Sequence, residues 1–313
     1  MTAAIVIDRL TKRYRGTSAI SDLSLEVPVG SIVGFLGPNG AGKTTTLKIL
    51  AGLARATSGT ASVNGIAVSA QGAHRAQVGY LAQEPRFYGW MSGRETLRYV
   101  ASFFEAPKAA RIDSWLELVG LTDAADRPTR TYSGGMRQRL GIAQALAGDP
   151  SVLLLDEPAA ALDPLGRHDV LEIMQRLRGD KTIFYSTHIL DDVQRVSDHI
   201  AIVDHGRLVT SAATSELVRA STRGTLRVSL LDADGSTAAA LAALPGVGDV
   251  SQPERRDGEW SYDLTIFDGQ IAAVQRAVTR LAGETGLTVT TNRQATLDLE
   301  DVFLRIVDKE RAA

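Results

Sequence analysis

Hydrophobic and polar positions form two alternating patterns along the first two thirds of the chain, one typical of strands and one typical of helices. Short apolar runs rich in β-branched residues recur, among them "SIVGFLG", "SVLLLDEP" and "KTIFYSTH". Between them lie stretches with apolar residues at helical spacing, such as "GKTTTLKILAGL" with Leu47, Leu50 and Leu53. Buried strands that alternate with helices predict a mainly parallel sheet covered by helices on both faces.

Two segments depart from that alternation. From about residue 84 to residue 150 the pattern is mostly helical, which predicts a helical insertion into the α/β core. After about Ser221 the predicted order is β-α-β-β-α-β, that of a small α+β ferredoxin-like unit. We therefore expect two domains, residues 1–220 and residues 221–313. An amphipathic helix in "LEDVFLRIVDKER" is expected to close the second domain.

Composition and charge narrow the classes of protein to consider. The 313 residues carry a net charge of −2, so no general basic charge points to nucleic acid, and we expect no nucleic-acid partner. No run of about 18 apolar residues is free of charges and helix breakers, which argues against a membrane span. Asp8 comes too early for a secretory signal peptide. The absence of cysteine excludes disulfides and thiolate metal sites.

The segment "GPNGAGKT" carries a phosphate-binding pattern. It follows a predicted strand, opens a predicted helix and satisfies G-x-x-x-x-G-K-[ST]. Lys43 is expected to reach the β- and γ-phosphates, Thr44 to ligate Mg²⁺ and Thr45 to bond the α-phosphate. The predicted nucleotide contacts are Gly37, Pro38, Asn39, Gly40, Ala41, Gly42, Lys43, Thr44 and Thr45.

Polar residues after other apolar runs extend this site. Asp156 ends the run "SVLLLD" and is expected in the Mg²⁺ shell. Glu157 is expected to polarise an attacking water, although it can instead be a helix-cap neighbour ahead of Pro158. His188 follows "KTIFYST" and is expected at the γ-phosphate or the water, with a structural role as the alternative. Gln83, at the end of the predicted strand "VGYLAQ", can coordinate Mg²⁺ or the water through its amide.

A second anion-binding pattern stands in "TYSGGMRQRL", residues 131–140. Ser133 and two glycines precede a cationic amphipathic run, as at a helix N-terminus prepared for an anion. A plain helix cap by Ser133 is the alternative. The sequence therefore predicts two anion sites in one chain and leaves open which anion the second one binds.

With these motifs in order, the chain resembles the nucleotide-binding subunit of an ABC transporter over about residues 4–220. The matching elements are "GPNGAGKTT" as Walker A, Gln83 as the Q-loop, "YSGGMRQ" as the signature, "VLLLDEP" as Walker B, Asp163 in the D-loop and His188 as the switch histidine. The resemblance implies a P-loop NTPase cassette that binds and hydrolyses ATP with Mg²⁺. Its fold has a mainly parallel core sheet, an antiparallel β subdomain and an inserted helical subdomain.

The resemblance also assigns roles to residues that spacing alone does not. Tyr14 matches the aromatic residue that stacks on adenine, with a half-buried strand residue as the alternative. Two copies of the chain are implied to pack head to tail, and each ATP then lies between Walker A of one copy and the signature of the other. The anion for Ser133, Gly134 and Gly135 is thus the γ-phosphate held by the partner copy.

A separate membrane permease is the second implied partner. It is expected to dock near Gln83–Arg94 and to hold the chain at the cytoplasmic face of the plasma membrane. Phe87, Tyr88 and Trp90 are a candidate docking loop in that stretch. The alternative is that these aromatic side chains are buried and anchor the helical insertion.

Departures from the common motifs indicate a subfamily. Tyr132 and Met136 stand where Leu and Gln are more usual in the signature, and Ala160 stands where Ser is common in the D-loop. This form resembles the ATPases of ABC-2-type exporters of drugs, lipids, polysaccharides or ions, as does "LEDVFL" at Leu299–Leu304. Met136 lacks the amide of Gln and cannot supply the polar contact that this amide makes in the signature.

Two other functions compete with an exporter ATPase. A soluble ABC ATPase acting on ribosomes or DNA is disfavoured because the chain has a single, uninterrupted cassette. A nonhydrolytic regulatory module is disfavoured because Glu157 and His188 are retained. The transported substrate is not specified by this chain, since the transport path belongs to the permease.

Overall fold

A six-stranded sheet carries the residues of the predicted phosphate site. The computed structural model that shows it describes residues 2–69, 72–104, 111–217, 224–231, 234, 237–256, 258–267 and 269–294. In spatial order the strands are β10 (Arg207–Ala213), β9 (His199–Asp204), β3 (Ile32–Leu36), β8 (Thr182–Thr187), β7 (Val152–Asp156) and β6 (Val78–Leu81). Neighbours from β9 to β6 run parallel, and β10 pairs antiparallel with β9. The prediction of a mainly parallel sheet is confirmed.

Burial of both sheet faces explains the apolar runs. Every residue of β3, β7 and β8 is buried. Parallel strands need crossover connections, and these put helices on both faces, so such strands have no water-facing side. Leu36 of β3 pairs with Thr187 of β8, and Asp156 of β7 pairs with Ser186 of β8. The carboxyl ends of the three strands therefore meet at one edge of the sheet.

An antiparallel sheet adjoins this core. Its strands, in spatial order, are β2 (Thr17–Pro28), β1 (Ala3–Tyr14), β4 (Ser58–Val63) and β5 (Ile66–Ala67). Ile5, Ile7 and Leu10 of β1 share one hydrophobic cluster with Phe35 and Phe184 of the parallel sheet. The expected antiparallel β subdomain is therefore present and packs on the parallel core.

Six of the described α-helices are named for this part of the chain. They are α1 (Lys43–Leu50), α2 (Gly93–Ala101), α3 (Ile112–Leu118), α4 (Gly134–Leu146), α5 (Pro164–Arg176) and α6 (Leu190–Val196). Helices α2, α3 and α4 lie between β6 and β7, where the helical insertion was predicted. The predicted helical position of Leu53 is wrong. Helix α1 ends at Leu50, Gly52 has a φ of +71°, and Leu53 lies beyond the turn with 63% of its surface exposed.

A second unit begins after Thr214 and has its own core. Its elements are β11 (Thr225–Leu231), α7 (Thr237–Ala242), β12 (Val247–Val250), β13 (Glu254–Arg256), β14 (Glu259–Ile266), α8 (Ile271–Thr285) and β15 (Thr288–Gln294). The sheet is antiparallel in the order β12-β14-β11-β15, and β13 pairs with β14. This is the predicted element order with the short β13 added. The ferredoxin-like classification stays a prediction.

Two expectations for the second unit fall on residues without a described structure. The predicted domain boundary between residues 220 and 221 and the motif "LEDVFL" both lie outside the described ranges. The limits 1–220 and 221–313 therefore stay a prediction. In the part of the chain that the structure describes, no helix has the length and apolar character needed to cross a bilayer.

Candidate active site

The loop between β3 and α1 can be built only with its glycines. Gly40 and Gly42 have φ angles of +85° and +97°, which side chains rarely adopt. A Cβ atom on Gly37 would lie 2.3 Å from the carbonyl oxygen of Val203. A Cβ atom on Gly42 would lie 2.4 Å from the carbonyl oxygen of Ala19. The loop consequently turns closely into the N-terminus of α1, where backbone N–H groups are available to an anion.

The Lys43 ammonium lies at the centre of this loop and is surrounded by oxygen atoms. Nζ donates to the carbonyl oxygens of Gly37 at 2.7 Å and Pro38 at 3.1 Å. It also lies 3.4 Å from Oε1 of Glu157, and both side chains are almost fully buried. A buried cation with several oxygen partners is suited to exchange some of them for phosphate oxygens.

Asp156 connects the loop to the neighbouring strand. Its Oδ1 accepts a hydrogen bond from Thr44 Oγ1 at 2.9 Å and another from Ser186 Oγ at 2.7 Å. A hydroxyl and a carboxylate are ligands that suit Mg²⁺, which usually binds through one or two carboxylates together with phosphate oxygens and water. The described residues contain no cluster of three or more His, Cys, Asp or Glu suited to a metal. The donor set thus fits an ion bound jointly with a nucleotide.

Glu157 turns away from β7 in an unusual backbone conformation. Its φ is +48°, and its N–H donates to Ser186 Oγ at 2.9 Å. Positive φ is uncommon outside glycine and is concentrated at functional sites. Oε2 of Glu157 lies 2.9 Å from Nδ1 of His188. The next helix is capped by Asp163, so Glu157 is part of the polar cluster and not a helix cap.

A cavity of about 290 Å³ adjoins the loop. Besides loop residues, Tyr14, Gln83 and Glu157 line it. Tyr14 ends β1 with 47% of its surface exposed, and Lys12 Nζ lies 4.6 Å from the centre of its ring. Gln83 is exposed and lies two residues beyond Leu81, where β6 ends, rather than at the strand end as predicted. The predicted loop, adenine and catalytic residues are therefore brought to one edge of the sheet.

The second predicted anion site lies apart from the first. Ser133 caps α4, and its Oγ accepts a hydrogen bond from the Met136 N–H at 3.2 Å. Ser133 and Gly134 are exposed, and a Cβ atom added to Gly134 would meet nothing within 4 Å. Ser133, Gly134 and Gly135 are not among the residues that line the loop cavity. Within one chain the first turn of α4 is thus open, and Gly134 instead lines a neighbouring cavity of about 550 Å³.

One departure from the common motifs, Tyr132 in the signature, has a local structural explanation. Tyr132 is buried, and its hydroxyl donates to the carbonyl oxygen of Ala124 at 2.7 Å. Burial raises the pKa of Tyr132, which keeps the phenol protonated as a donor. In the D-loop, Asp163 Oδ1 accepts from the Gly166 N–H at 2.7 Å and so caps α5. Nothing in the structure explains Ala160.

The aromatic residues after Gln83 are on the surface. Tyr88 and Trp90 are 59% and 70% exposed, with ring centres 6.0 Å apart. Tyr88 also meets Tyr99 of α2 at 6.3 Å, and Tyr99 meets Phe103 at 5.1 Å. We call these four side chains the aromatic stripe. Its exposure removes the alternative that Tyr88 and Trp90 are buried anchors.

Three features of this region were not predicted from the sequence. Ser186 joins Asp156 to the backbone of Glu157, and its place directly before "TH" in a buried strand was the available signal. Tyr80 of β6 lies near Asp156, and no motif pointed to it. The continuation of the aromatic stripe to Tyr99 of α2 and to Phe103, two residues beyond the end of that helix, was also not predicted.

Comparison with known proteins identifies the family. The ABC transporter family profile matches residues 20–160. An uncharacterized ABC transporter ATP-binding protein of Bacillus subtilis, YxlF, is 36% identical over 96% of this chain and 98% of its own length. The bacitracin transport ATP-binding protein BcrA of Enterococcus faecalis is 32% identical over 98% of this chain and 97% of its own length. A solved ATP-binding subunit of an ABC transporter superposes with a TM-score of 0.62, at 30% identity, over 70% of this chain and 93% of that one. The chain therefore belongs to the ATP-binding subunits of ABC transporters and is an ABC ATPase.

Proposed function

We propose that this chain hydrolyses ATP as one half of a two-copy ATP sandwich and thereby drives a separate membrane permease, an exporter of the ABC-2 type. The observation that carries the proposal is the cluster of Lys43, Thr44, Asp156, Glu157 and His188 at one sheet edge, described above. The open signature helix and the exposed aromatic stripe supply the surfaces for the two partners.

Each member of the cluster has a distinct task in hydrolysis. Lys43 binds β- and γ-phosphate oxygens and offsets their charge. Thr44 and Asp156 would hold Mg²⁺, and Gln83 would be a further oxygen donor to it. When bound, Mg²⁺ neutralises charge on the β- and γ-phosphates. Glu157 orients and polarises the water that attacks the γ-phosphorus, so that ATP and water yield ADP and phosphate.

His188 is suited to align this attack. Its Nδ1 lies against the buried Glu157 carboxylate, and 46% of the His188 side chain remains exposed. We propose that the imidazole bridges Glu157 and the γ-phosphate or its attacking water. Tyr14 stacks on adenine through its exposed ring.

A second copy of the chain completes the site. A phosphate neutralised from one side keeps charge on its outward face, and a helix N-terminus is a suitable partner for that charge. Ser133, Gly134 and Gly135 present such a terminus and line no part of their own chain's loop cavity. Their ligand is therefore proposed to be the γ-phosphate bound by the partner copy.

The aromatic stripe is proposed to receive a cytoplasmic segment of the permease. Contiguous exposed aromatic side chains are unusual on a monomer and are enriched at interfaces. Beside them lies a cavity of about 550 Å³ whose lining includes Gln83, Phe87 and Arg130. Movement of a docked segment would therefore act directly on Gln83 at the nucleotide. This docking places the chain at the cytoplasmic face of the membrane.

Co-purification tests this proposal. The wild-type chain, extracted with detergent from membranes of its host, is expected to retain a polytopic membrane protein that mass spectrometry identifies. Trp90→Ala is expected to reduce its recovery by at least about tenfold, as for an interface hot spot. Phe267→Ala is the matched control, because Phe267 is 58% exposed and belongs to the second unit. Equal recovery with Trp90→Ala and wild type would refute docking at the stripe.

A further inference from the structure

Tyr80 lies one strand away from Asp156 and has no role in the mechanism above. In the parallel register of β6 and β7, Tyr80 pairs with Leu154. Side chains alternate between the two faces along a strand, so Tyr80, Leu154 and Asp156 share one face of the sheet. Leu154 is only two residues before Asp156, which brings the long side chain of Tyr80 within range of the carboxylate.

The Tyr80 hydroxyl is a buried donor. Among the described residues it completes no hydrogen bond of normal distance and angle, although the Asp156 carboxylate is close enough to interact with it. Burial first, then the negative charge of Asp156 and the nearness of its carboxylate as a hydrogen-bond acceptor, raise the pKa of Tyr80 to about 12. The phenol therefore carries its proton at neutral pH. A buried hydroxyl without an acceptor is destabilising, so an acceptor is expected while the site works.

The acceptor expected for the Tyr80 hydroxyl is the Oδ2 atom of Asp156. Both Thr44 and Ser186 donate to Oδ1. Both of these hydrogen bonds end on the same oxygen, so neither of them holds Oδ2. A carboxylate held through one oxygen can still rotate about its Cβ–Cγ bond. A donor at Oδ2 would fix the plane of the group and hence the direction in which Oδ1 faces the nucleotide.

We propose that Tyr80 is a positioning residue for Asp156, its hydroxyl donating to Oδ2 when Mg²⁺ and nucleotide are bound. The proposal rests on the proposed role of Asp156 as an Mg²⁺ ligand. Residues that orient a ligating carboxylate commonly contribute about 10- to 100-fold to metal affinity. Tyr80 is therefore expected to affect metal binding much more than metal-free nucleotide binding.

The test measures Mn²⁺ binding directly. Glu157→Gln protein, which is expected to retain ATP, is saturated with ATP and titrated with Mn²⁺, and free Mn²⁺ is followed by electron paramagnetic resonance. Adding Tyr80→Phe is expected to weaken Mn²⁺ binding about tenfold. ATP affinity in EDTA is expected to stay within twofold. The single variant Tyr80→Phe, which keeps Glu157, is expected to regain wild-type ATPase activity at high Mg²⁺. This recovery separates a change in metal affinity from a change in kcat.

Tyr185→Phe is the matched control. Tyr185 is fully buried in β8, and its hydroxyl bonds Ser197 at 2.8 Å. It pairs with Leu155, so it faces the side of the sheet opposite to Asp156. Tyr185→Phe therefore removes a buried hydroxyl of the same kind without touching the site, and Mn²⁺ affinity is expected to be unchanged.

Three results would overturn the role of Tyr80: unchanged Mn²⁺ affinity in Tyr80→Phe, an equal loss in Tyr185→Phe, or an equal loss of ATP affinity in EDTA. Restoration of Mn²⁺ affinity by 4-aminophenylalanine at position 80, which returns a donor to the ring, would support it. Asp156→Asn separates this proposal from the proposed function. If Asp156→Asn leaves Mn²⁺ binding intact, the metal role of Asp156 itself is wrong.

Discussion

His188 Nδ1 lies 2.9 Å from Glu157 Oε2, although the His188 side chain is 46% exposed and the Glu157 side chain only 6%. The other carboxylate oxygen of Glu157 lies 3.4 Å from Lys43 Nζ. Glu157 is thus held between a buried cation on the loop and a partly exposed imidazole. This fixes the direction of the one carboxylate that is proposed to orient water.

Glu157→Gln is expected to slow ATP hydrolysis by about 10²-fold or more. Gln keeps the shape and hydrogen-bonds water, but it cannot accept a proton or supply a full negative charge. ATP binding should survive, because Lys43, Thr44 and Asp156 remain. With the γ-phosphate retained, ATP should hold the two-copy state by mass action. Phosphate release and light scattering with and without ATP and Mg²⁺ check both effects.

Ser133→Arg in the Glu157→Gln background tests the second half of the site. Ser133 is exposed at the open first turn of α4. The bulk of Arg is expected to keep the partner's γ-phosphate away from this turn, so the double variant should scatter light as a monomer. If it forms dimers as well as its parent, the proposed role of "TYSGGMRQRL" is wrong. If Glu157→Gln itself stays monomeric, the isolated subunit requires its membrane partner to pair.

Lys43→Ala is expected to abolish ATP hydrolysis and to weaken ATP binding severely. The substitution removes the main cation facing the β- and γ-phosphates and leaves Glu157 buried without its nearest positive charge. Fluorescent-nucleotide titration and phosphate release measure the two losses. Hydrolysis at the wild-type rate in this variant would show that the loop is not the phosphate site.

Tyr132→Phe is expected to lower the free energy of unfolding by about 1 kcal/mol, because the Ala124 carbonyl loses a buried donor. ATPase activity should change by less than twofold, since the hydroxyl faces the helical insertion and not the nucleotide. Urea unfolding measures the change. Tyr88→Phe is the control, because the exposed Tyr88 should alter stability by less than about 0.5 kcal/mol. A neutral Tyr132→Phe would show that the hydrogen bond contributes nothing net.

A chain ending at residue 220 is expected to fold and to bind ATP as tightly as the full chain. The second unit has a separate core, and all predicted nucleotide contacts precede residue 215. Circular dichroism and nucleotide titration compare the two chains. A folded, monodisperse 1–220 protein that no longer binds ATP would place part of the site in the second unit. The second unit is expected to tune association of the two copies instead.

Local sequence patterns were sufficient to predict the phosphate loop and the strands around it. Gly40 and Gly42 are required by backbone angles and close contacts that the motif already encodes. The buried strands are recognisable because a strand with two covered faces is a largely continuous apolar run. The prediction that Leu53 lies in the helix was wrong because a local pattern was read too far. Its spacing suits a helix, but Gly52 in a left-handed conformation ends that helix first.

Contacts between distant segments could not be predicted in the same way. Thr44 and Asp156 are 112 positions apart, and Asp156 and Ser186 are 30 apart, yet both pairs share one carboxylate oxygen. No spacing rule links them, because the connection depends on how parallel strands are ordered in the sheet. The pairing of Tyr88 with Tyr99 likewise depends on how the loop after Gln83 packs on α2.

The sequence by itself determined the motifs, the strand and helix types and the family, because each depends on a few adjacent residues or on periodic burial. Tertiary structure decided which of two roles several residues take. It exposes Tyr14 and Trp90, buries Tyr132, turns Glu157 toward His188 and leaves the first turn of α4 open. The physical reason is that the exposure of a side chain and its hydrogen-bond partners depend on the packing of elements far apart in the chain. The spacing of residues within one segment does not encode that packing.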